Sequence, residues 1–190
     1  MSTDEPRLYV LDGGKALTKA VKDTFGKQAC IQRCQVHKKR NVLSHLPLSE
    51  RENVSVALSL AYREHEYEKA KSALSLLADN LELRYPSAAT SLLEGLEETL
   101  TVHRLKLPGL LRDTLASTNA MESANSVCVG ILNRVSHFRD GKMTLRHAAA
   151  GFLEAERSFR RIKGYKQIPL LVHALGLLTA SDNSTILESA

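Results

Sequence analysis

The chain has 190 residues, of which 43% are hydrophobic and 25% are charged. This length suits one well-packed domain, and the composition excludes the disordered, collagen-like and disulfide-scaffold classes. Aromatic residues make up only 5% and Trp is absent, so the core must be mainly aliphatic.

The net charge of +5 permits a polyanionic partner without requiring one. Residues 1–48 carry nine basic and four acidic side chains, residues 49–107 carry seven and ten, and residues 108–190 carry ten and seven. Two basic segments therefore flank an acidic middle, whose run Glu64, Glu66, Glu68 is interpreted as a solvated face.

The sequence predicts a cytoplasmic protein with reduced thiols. Its three cysteines are an odd number, and the start MSTDEPRLYV has neither the basic nor the apolar region of a signal peptide. No apolar run approaches the roughly 20 residues of a membrane span, so no membrane association is expected.

Hydrophobic spacing predicts a strand, a helix and a second strand at the start of the chain. Leu8–Leu11 and Ala29–Cys34 are the strands, and the helix between them ends at Phe25. From residue 47 to about residue 103 the pattern is helical throughout, with two amphipathic helices that meet at Tyr85-Pro86 and the second continuing to Leu100.

The remainder of the chain is also predicted to be helical. Ser117-Thr118-Asn119 supplies helix-capping residues, and a long helix carries apolar residues from Leu145 to Ile162 and stops at Gly164. A final short helix begins near Pro169, and residues 181–190 are expected to form a disordered tail.

Asp12 follows the first strand directly and precedes Gly13-Gly14. An open α/β sheet places its ligand crevice at the carboxyl ends of its strands, so this position suits a metal ligand. A turn aspartate that caps the next helix is the alternative from the residues alone.

Glu122 lies three residues after Asn119, which is the spacing of a capping box. In that interpretation the carboxylate returns to the backbone N–H of the cap residue. The alternative is a second acidic ligand that would act with Asp12, because Mg²⁺ binds a few carboxylates together with substrate phosphate oxygens.

Cys34 and His37 have the spacing of half a zinc site, with Cys30 four residues earlier, but no second half is evident. The basic run that begins at His37 would suit phosphate contacts, or it would be a solvated helix start. Hydrolase triads, Walker loops and dinucleotide fingerprints are not found in this sequence.

Five segments in this order resemble the Mutator family of bacterial insertion-sequence transposases over roughly residues 7–175: VLDGG, QRCQVHKKRN, a helical stretch, STNAMES and DGKMTLRHAAAGFLEAERSFRRIKGY. The resemblance implies an α/β, predominantly helical chain with a partial ribonuclease H-like fold and an all-α insertion. It divides the chain into residues 1–46 (strand, helix, strand), 47–107 (helical insertion), 108–180 (catalytic-Glu helix and following helices) and the tail 181–190.

The resemblance also implies an Asp-Asp-Glu triad, in which Asp12 matches the second Asp and Glu122 matches the Glu. Cys34 and His37 match a Cys-x-x-His motif that lies close to the active centre. The implied chemistry is phosphoryl transfer on DNA, with Mg²⁺ or Mn²⁺ in a two-metal site. With this match, catalysis is favoured over the capping box for Glu122.

The implied partners are the ends of the insertion sequence and target DNA, in a bacterial, nucleoid-associated setting. Basic and polar side chains would hold the DNA backbone without reading its sequence. The candidates are Arg33, Lys38, Lys39, Arg40, Asn119, Arg134, Arg139 and Arg146.

The chain departs from the family pattern at the first Asp of the triad, which should lie on a strand well upstream of Asp12. The two-metal site is therefore expected to be incomplete in this chain, which we expect to be truncated and inactive alone. The alternative function is a non-catalytic module that binds DNA or a full-length transposase. A full-length transposase or a second copy of the chain is a further expected partner. A zinc or redox role for Cys30, Cys34 and His37 is a third hypothesis.

Overall fold

The computed structural model describes residues 5–187, with the backbone alone for residue 27 and residues 178–187. The chain is mostly helical and contains a small parallel sheet of two strands, which confirms the predicted predominantly helical α/β class. It divides into two compact units, residues 118–162 and the residues on either side of them.

The first unit begins with the predicted strand, helix and strand. The elements are β1 (Arg7–Leu11), α1 (Lys15–Phe25), a 3₁₀ turn (Gly26–Gln28), β2 (Ala29–Arg33) and α2 (Gln35–Ser44). β1 and β2 are parallel, and their register runs from Arg7 opposite Ala29 to Leu11 opposite Arg33. Val21 of α1 packs on Leu11 and Ile31, so the helix covers one face of the sheet.

A run of helices follows: α3 (Leu48–Arg63), α4 (Tyr67–Glu82), α5 (Pro86–Leu93), α6 (Leu96–Thr99) and α7 (Thr101–Arg104). The predicted break at Tyr85-Pro86 is confirmed. The prediction of one continuous helix from there to Leu100 is wrong, because the chain adopts a left-handed conformation at Gly95 (φ +66°). Apolar residues of α2 to α6 form the largest core cluster of the unit.

The outer edge of β2 is covered by α6 and α7 instead of by a third strand. The buried Gln32 amide donates to Thr99 O at 2.8 Å, and its Oε1 accepts from Val102 N–H at 2.9 Å. Thr101 Oγ1 donates to Ile31 O at 2.6 Å. Thr101 therefore satisfies a β2 carbonyl that another strand would otherwise pair, and Gln32 satisfies backbone groups of α6 and α7.

The first unit is completed by α8 (Gly109–Leu115), a 3₁₀ turn (Tyr165–Gln167) and α11 (Ile168–Leu187). Leu175 of α11 packs with Leu105, Leu107 and Ala116 in a second core cluster. The sequence predicts a short final helix and a disordered tail over 181–190. Residues 181–187 continue α11 in the structure, and residues 188–190 lie outside the described residues.

The second unit consists of α9 (Asn119–Leu132) and α10 (Gly141–Arg157), which pack against each other. Their contact uses small residues: Ala124 and Cys128 of α9 and Gly151 and Ala155 of α10 are buried. The predicted helix to Ile162 is too long, because Ser158 N–H bonds Ala155 O three residues back and ends α10.

The four segments expected from the resemblance stay a prediction beside this division into two units. The first unit combines residues 1–46 with the helical insertion, because buried side chains of β2 and α2 bond directly to the backbone of α5 and α6. Within the described residues, no helix is both long and apolar enough to span a membrane.

Candidate active site

Asp12 is the first residue after β1 and is exposed to solvent. Its Oδ1 accepts a 2.8 Å hydrogen bond from the N–H of Gly14, the residue that caps α1. A β-carbon at Gly14 would lie 3.2 Å from the same oxygen, so the turn is packed tightly around the carboxylate. Asp12 therefore stabilises its own turn, whereas α1 has no side-chain cap, and the Asp12 carboxylate stays at the surface.

Cys34 occupies the equivalent position after β2. Its N–H donates a 2.7 Å hydrogen bond to Leu11 O, and its side chain is fully buried. His37 lies in the first turn of α2 and is half-buried. Because β1 and β2 are parallel and adjacent, the structure brings Asp12 and the Cys-x-x-His segment to the same edge of the sheet.

Glu122 lies on α9 in the second unit. The cap residue of this helix is Thr118 and not Asn119, so Glu122 is the fourth helical residue and does not have capping-box spacing. Thr118 Oγ1 donates a 2.6 Å hydrogen bond to Glu122 Oε1. The capping-box alternative for Glu122 and Asn119 does not match these helix bounds, since Met121 occupies the third helical position.

Two of the basic residues proposed to hold DNA point into the protein. Lys38 is completely buried, and its Nζ donates 2.5 Å hydrogen bonds to Ser91 O and Glu94 O at the end of α5. Arg33 is 8% exposed and donates to Glu94 O at 2.9 Å. Both cations bind the carbonyl end of a helix, where positive charge is favourable. Their buried positions differ from the DNA-facing positions that the sequence analysis expects.

Burial and charge perturb two pKa values in this cluster. Burial, with the neighbouring Arg33 guanidinium, lowers the pKa of Lys38 to about 8. The Arg33 guanidinium also lowers the pKa of Glu94, whose carboxylate Oε2 lies 3.3 Å from Arg33 Nη2. This charge cluster joins the β2–α2 segment to the helical insertion.

The other basic candidates are more accessible. Lys39 is half-buried and donates to Ser59 Oγ at 2.7 Å, whereas Arg40 is exposed. In the second unit, Asn119 is the exposed first residue of α9. Arg134, Arg139 and Arg146 are exposed around the connection between α9 and α10, and Arg139 Nε lies 3.3 Å from Asp140 Oδ2.

Sequence reasoning missed the residues that surround Arg33. Glu94 and Gly95 lie in what the hydrophobic spacing indicates is a continuous helix, and the only local signal was an isolated glycine in a helical pattern. Gln32 gave no signal, because a polar residue in a short strand is usually on its solvated face.

The geometry thus defines an α/β protein with an exposed carboxylate at the carboxyl edge of a parallel strand pair. The sequence profile described as "Transposase, Mutator family" matches residues 4–161, and the chain belongs to that family. This confirms the resemblance found in the sequence.

Three insertion-sequence transposases are similar to the chain over 118 residues, which is 62% of its length. They are those of ISRM5 from Rhizobium meliloti (33% identical), IS6120 from Mycolicibacterium smegmatis (30%) and IST2 from Acidithiobacillus ferrooxidans (28%). The matched region spans 29%, 36% and 39% of these relatives, respectively. No solved structure matches the chain.

Proposed function

We propose that the chain is part of a transposase of the Asp-Asp-Glu type, which cleaves and joins the DNA of an insertion sequence. Membership of the Mutator family supports the reaction class. The observation that carries the proposal is the placement of Asp12 and the Cys-x-x-His segment at one edge of a parallel strand pair, as a ribonuclease H-like core would require.

The residues present fit a hard divalent cation at Asp12. The carboxylate is exposed, and the turn bond to Gly14 N–H uses only one lone pair of Oδ1. The resemblance assigns both Asp12 and Glu122 as metal ligands, and each offers carboxylate oxygens, the ligand type that Mg²⁺ and Mn²⁺ prefer. Cys34 is a soft ligand and is fully buried, so we assign the Cys-x-x-His segment a role in shaping the site.

When bound, such metal ions activate an attacking oxygen and stabilise a leaving oxygen of a phosphodiester. The chain's own contribution is to fix carboxylate positions. The hydrogen bond from Gly14 N–H fixes the Asp12 side chain, and the bond from the Thr118 hydroxyl fixes Glu122 Oε1. Both bonds orient a charged oxygen before any ligand binds.

Metal binding at Asp12 can be tested by titrating the ¹⁵N-labelled protein with Mn²⁺ and recording paramagnetic broadening. We expect broadening of the amide signals of residues 11–15, and we expect Asp12→Asn to abolish it. Asp23→Asn is the matched control, because Asp23 is an exposed carboxylate on α1. Broadening that survives Asp12→Asn, or its absence in the unmodified protein, refutes this assignment.

The resemblance assigns two carboxylates of a three-carboxylate set to these 190 residues. We therefore expect the polypeptide alone not to cleave or join terminal-repeat DNA in Mg²⁺. A purified sample that did so, and lost the activity on Glu122→Gln, would contradict this expectation.

The second candidate function is a non-catalytic module that binds DNA or a complete transposase. The exposed arginines around the α9–α10 connection favour it, because phosphate contacts need accessible positive charge. For both functions we expect the protein to act in the cytoplasm, at the nucleoid. Binding of duplex DNA at low salt without the Mn²⁺ effect at Asp12 would favour the module over the enzyme.

A further inference from the structure

The Arg33 guanidinium lies between two glycines that are far apart in the sequence. A β-carbon at Gly13 would lie 2.4 Å from Arg33 Nε, and one at Gly95 would lie 2.6 Å from Arg33 Nη1. Both glycines have positive φ, +99° and +66°. Glycine is therefore required at each position for two reasons: the backbone has a positive φ, and the guanidinium fills the space that a side chain would occupy.

The same guanidinium is fixed in orientation by the segment that ends α5. Nη1 donates to Glu94 O at 2.9 Å, and Nη2 lies 3.3 Å from Glu94 Oε2. Lys38 Nζ binds the same carbonyl oxygen. A planar group held through two of its nitrogens and packed between two backbones has little freedom to rotate.

Gly13 also belongs to the turn that carries Asp12. It lies between Asp12 and Gly14, whose N–H bonds the Asp12 carboxylate. Arg33 packs directly against the middle residue of this turn, so the position of the guanidinium sets where the turn lies relative to the end of β2. The contacts form a continuous path from Glu94 through Arg33 and Gly13 to Asp12.

We propose that Arg33 is a positioning residue that locks the Asp12 turn to the helical insertion through Gly13, Glu94 and Gly95. The inference rests on the proposed function in one respect, namely that Asp12 is a metal ligand. It gives the insertion a role in the site that the resemblance does not supply: the turn between α5 and α6 is the support against which the carboxylate is placed.

The unmodified protein provides the first test. We expect ¹H nuclear Overhauser effects from the Arg33 side chain to the α-protons of both Gly13 and Gly95. We also expect backbone order parameters at Gly13 and Gly14 of about 0.85, the value of rigid backbone. Missing Overhauser effects, or order parameters below about 0.6 at these two glycines, would overturn the proposal.

The second test uses Arg33→Lys and Gly95→Ala. Lysine keeps the charge but lacks the planar fork, and the methyl group of alanine occupies the place of Nη1. In both variants we expect the order parameters of Gly13 and Gly14 to fall below about 0.6. If Arg33 contributed only to overall stability, lysine would largely preserve the rigidity of the turn. That result would contradict the positioning role of Arg33.

Two matched variants control for strain and for loss of a buried arginine. Gly26→Ala introduces alanine at a positive φ of +53° with no atom within 4 Å of the new β-carbon. Arg112→Ala removes a buried arginine that binds the end of α3. Both should leave Gly13 and Gly14 rigid, and loosening of the turn in either control would contradict the specific path through Arg33.

The outcomes separate this inference from the proposed function. Rigidity of the turn is measured without metal, so it does not depend on metal binding by Asp12. The turn could lose rigidity in Arg33→Lys and Gly95→Ala while the unmodified protein shows no Mn²⁺ broadening. That result would refute the metal site and support the positioning role of Arg33. Mn²⁺ broadening in the unmodified protein, with an unchanged turn in both variants, would support the metal site and refute the positioning role of Arg33.

Discussion

Lys38 is buried in α2, and its ammonium group donates a 2.5 Å hydrogen bond to the main-chain oxygen of Glu94, which caps α5. This contact joins two segments separated by 56 residues. The pKa of Lys38 is lowered, because burial and Arg33 oppose the charged form more strongly than the acidic neighbours favour it.

The pKa of Lys38 predicts a pH dependence of stability. It is about 8 in the folded protein and 10.5 for an ordinary lysine. Between these values the unfolded chain binds more protons than the folded one, so stability rises with pH. We expect the free energy of unfolding of the unmodified protein, relative to Lys38→Met, to increase by about 1 to 3 kcal/mol from pH 7 to pH 10. Urea unfolding at both pH values measures the difference, and a decrease would refute the prediction.

Arg112 caps α3 in the way that Lys38 caps α5. Its Nη1 donates to Glu64 O at 3.1 Å, and the residue is 5% exposed. Arg112→Ala should lower the free energy of unfolding by about 2 to 4 kcal/mol, because Glu64 O loses a charged donor and a buried side chain is removed. Arg84 is the control: it is an exposed arginine 4.0 Å from Glu50, and Arg84→Ala should change stability by less than about 0.5 kcal/mol. Equal effects would contradict the capping role.

Gly151 sets the distance between α9 and α10. A β-carbon there would lie 2.9 Å from both Cα and Sγ of Cys128. Gly151→Ala should therefore destabilise the helix pair by about 1 to 3 kcal/mol. Gly130→Ala is the matched control within α9, because nothing lies within 4 Å of its new β-carbon, and it should stabilise the pair by up to about 1 kcal/mol. Amide hydrogen exchange of both helices measures the two effects, and faster exchange in Gly130→Ala would be unexpected.

The exposed arginines around the α9–α10 connection predict the salt dependence of DNA binding. Each phosphate contact contributes about one unit to the slope of log affinity against log salt. The triple variant of Arg134, Arg139 and Arg146 to Ala should therefore lower the slope by about two to three units. Replacing Lys69 and Lys71, which pair with Glu66 and Glu97 in the acidic insertion, should leave it unchanged. An unchanged slope in the triple variant removes these residues from the interface.

Local patterns were sufficient to predict most elements of the fold. The strands at β1 and β2, the helix between them and the break at Tyr85-Pro86 follow from hydrophobic spacing and from proline. The motifs around Asp12, Cys34 and Glu122 indicated the Mutator family, which the match over residues 4–161 confirms. Each of these features is encoded by residues that lie close together in the sequence, so the sequence by itself determined them.

The roles of the basic residues depended on tertiary structure. Arg33 and Lys38 belong to the same basic segment as Arg40, yet the first two are buried against Glu94 and the third is exposed. A charge pattern cannot distinguish these cases, because the partner lies more than 50 residues away and is a main-chain carbonyl. Gly95 is similar: its left-handed conformation breaks a regular hydrophobic spacing, and the space that the glycine leaves is filled by an arginine from another segment. The sequence determined the family and the candidate carboxylates, whereas long-range packing decided which cations are buried against a helix end and which face solvent.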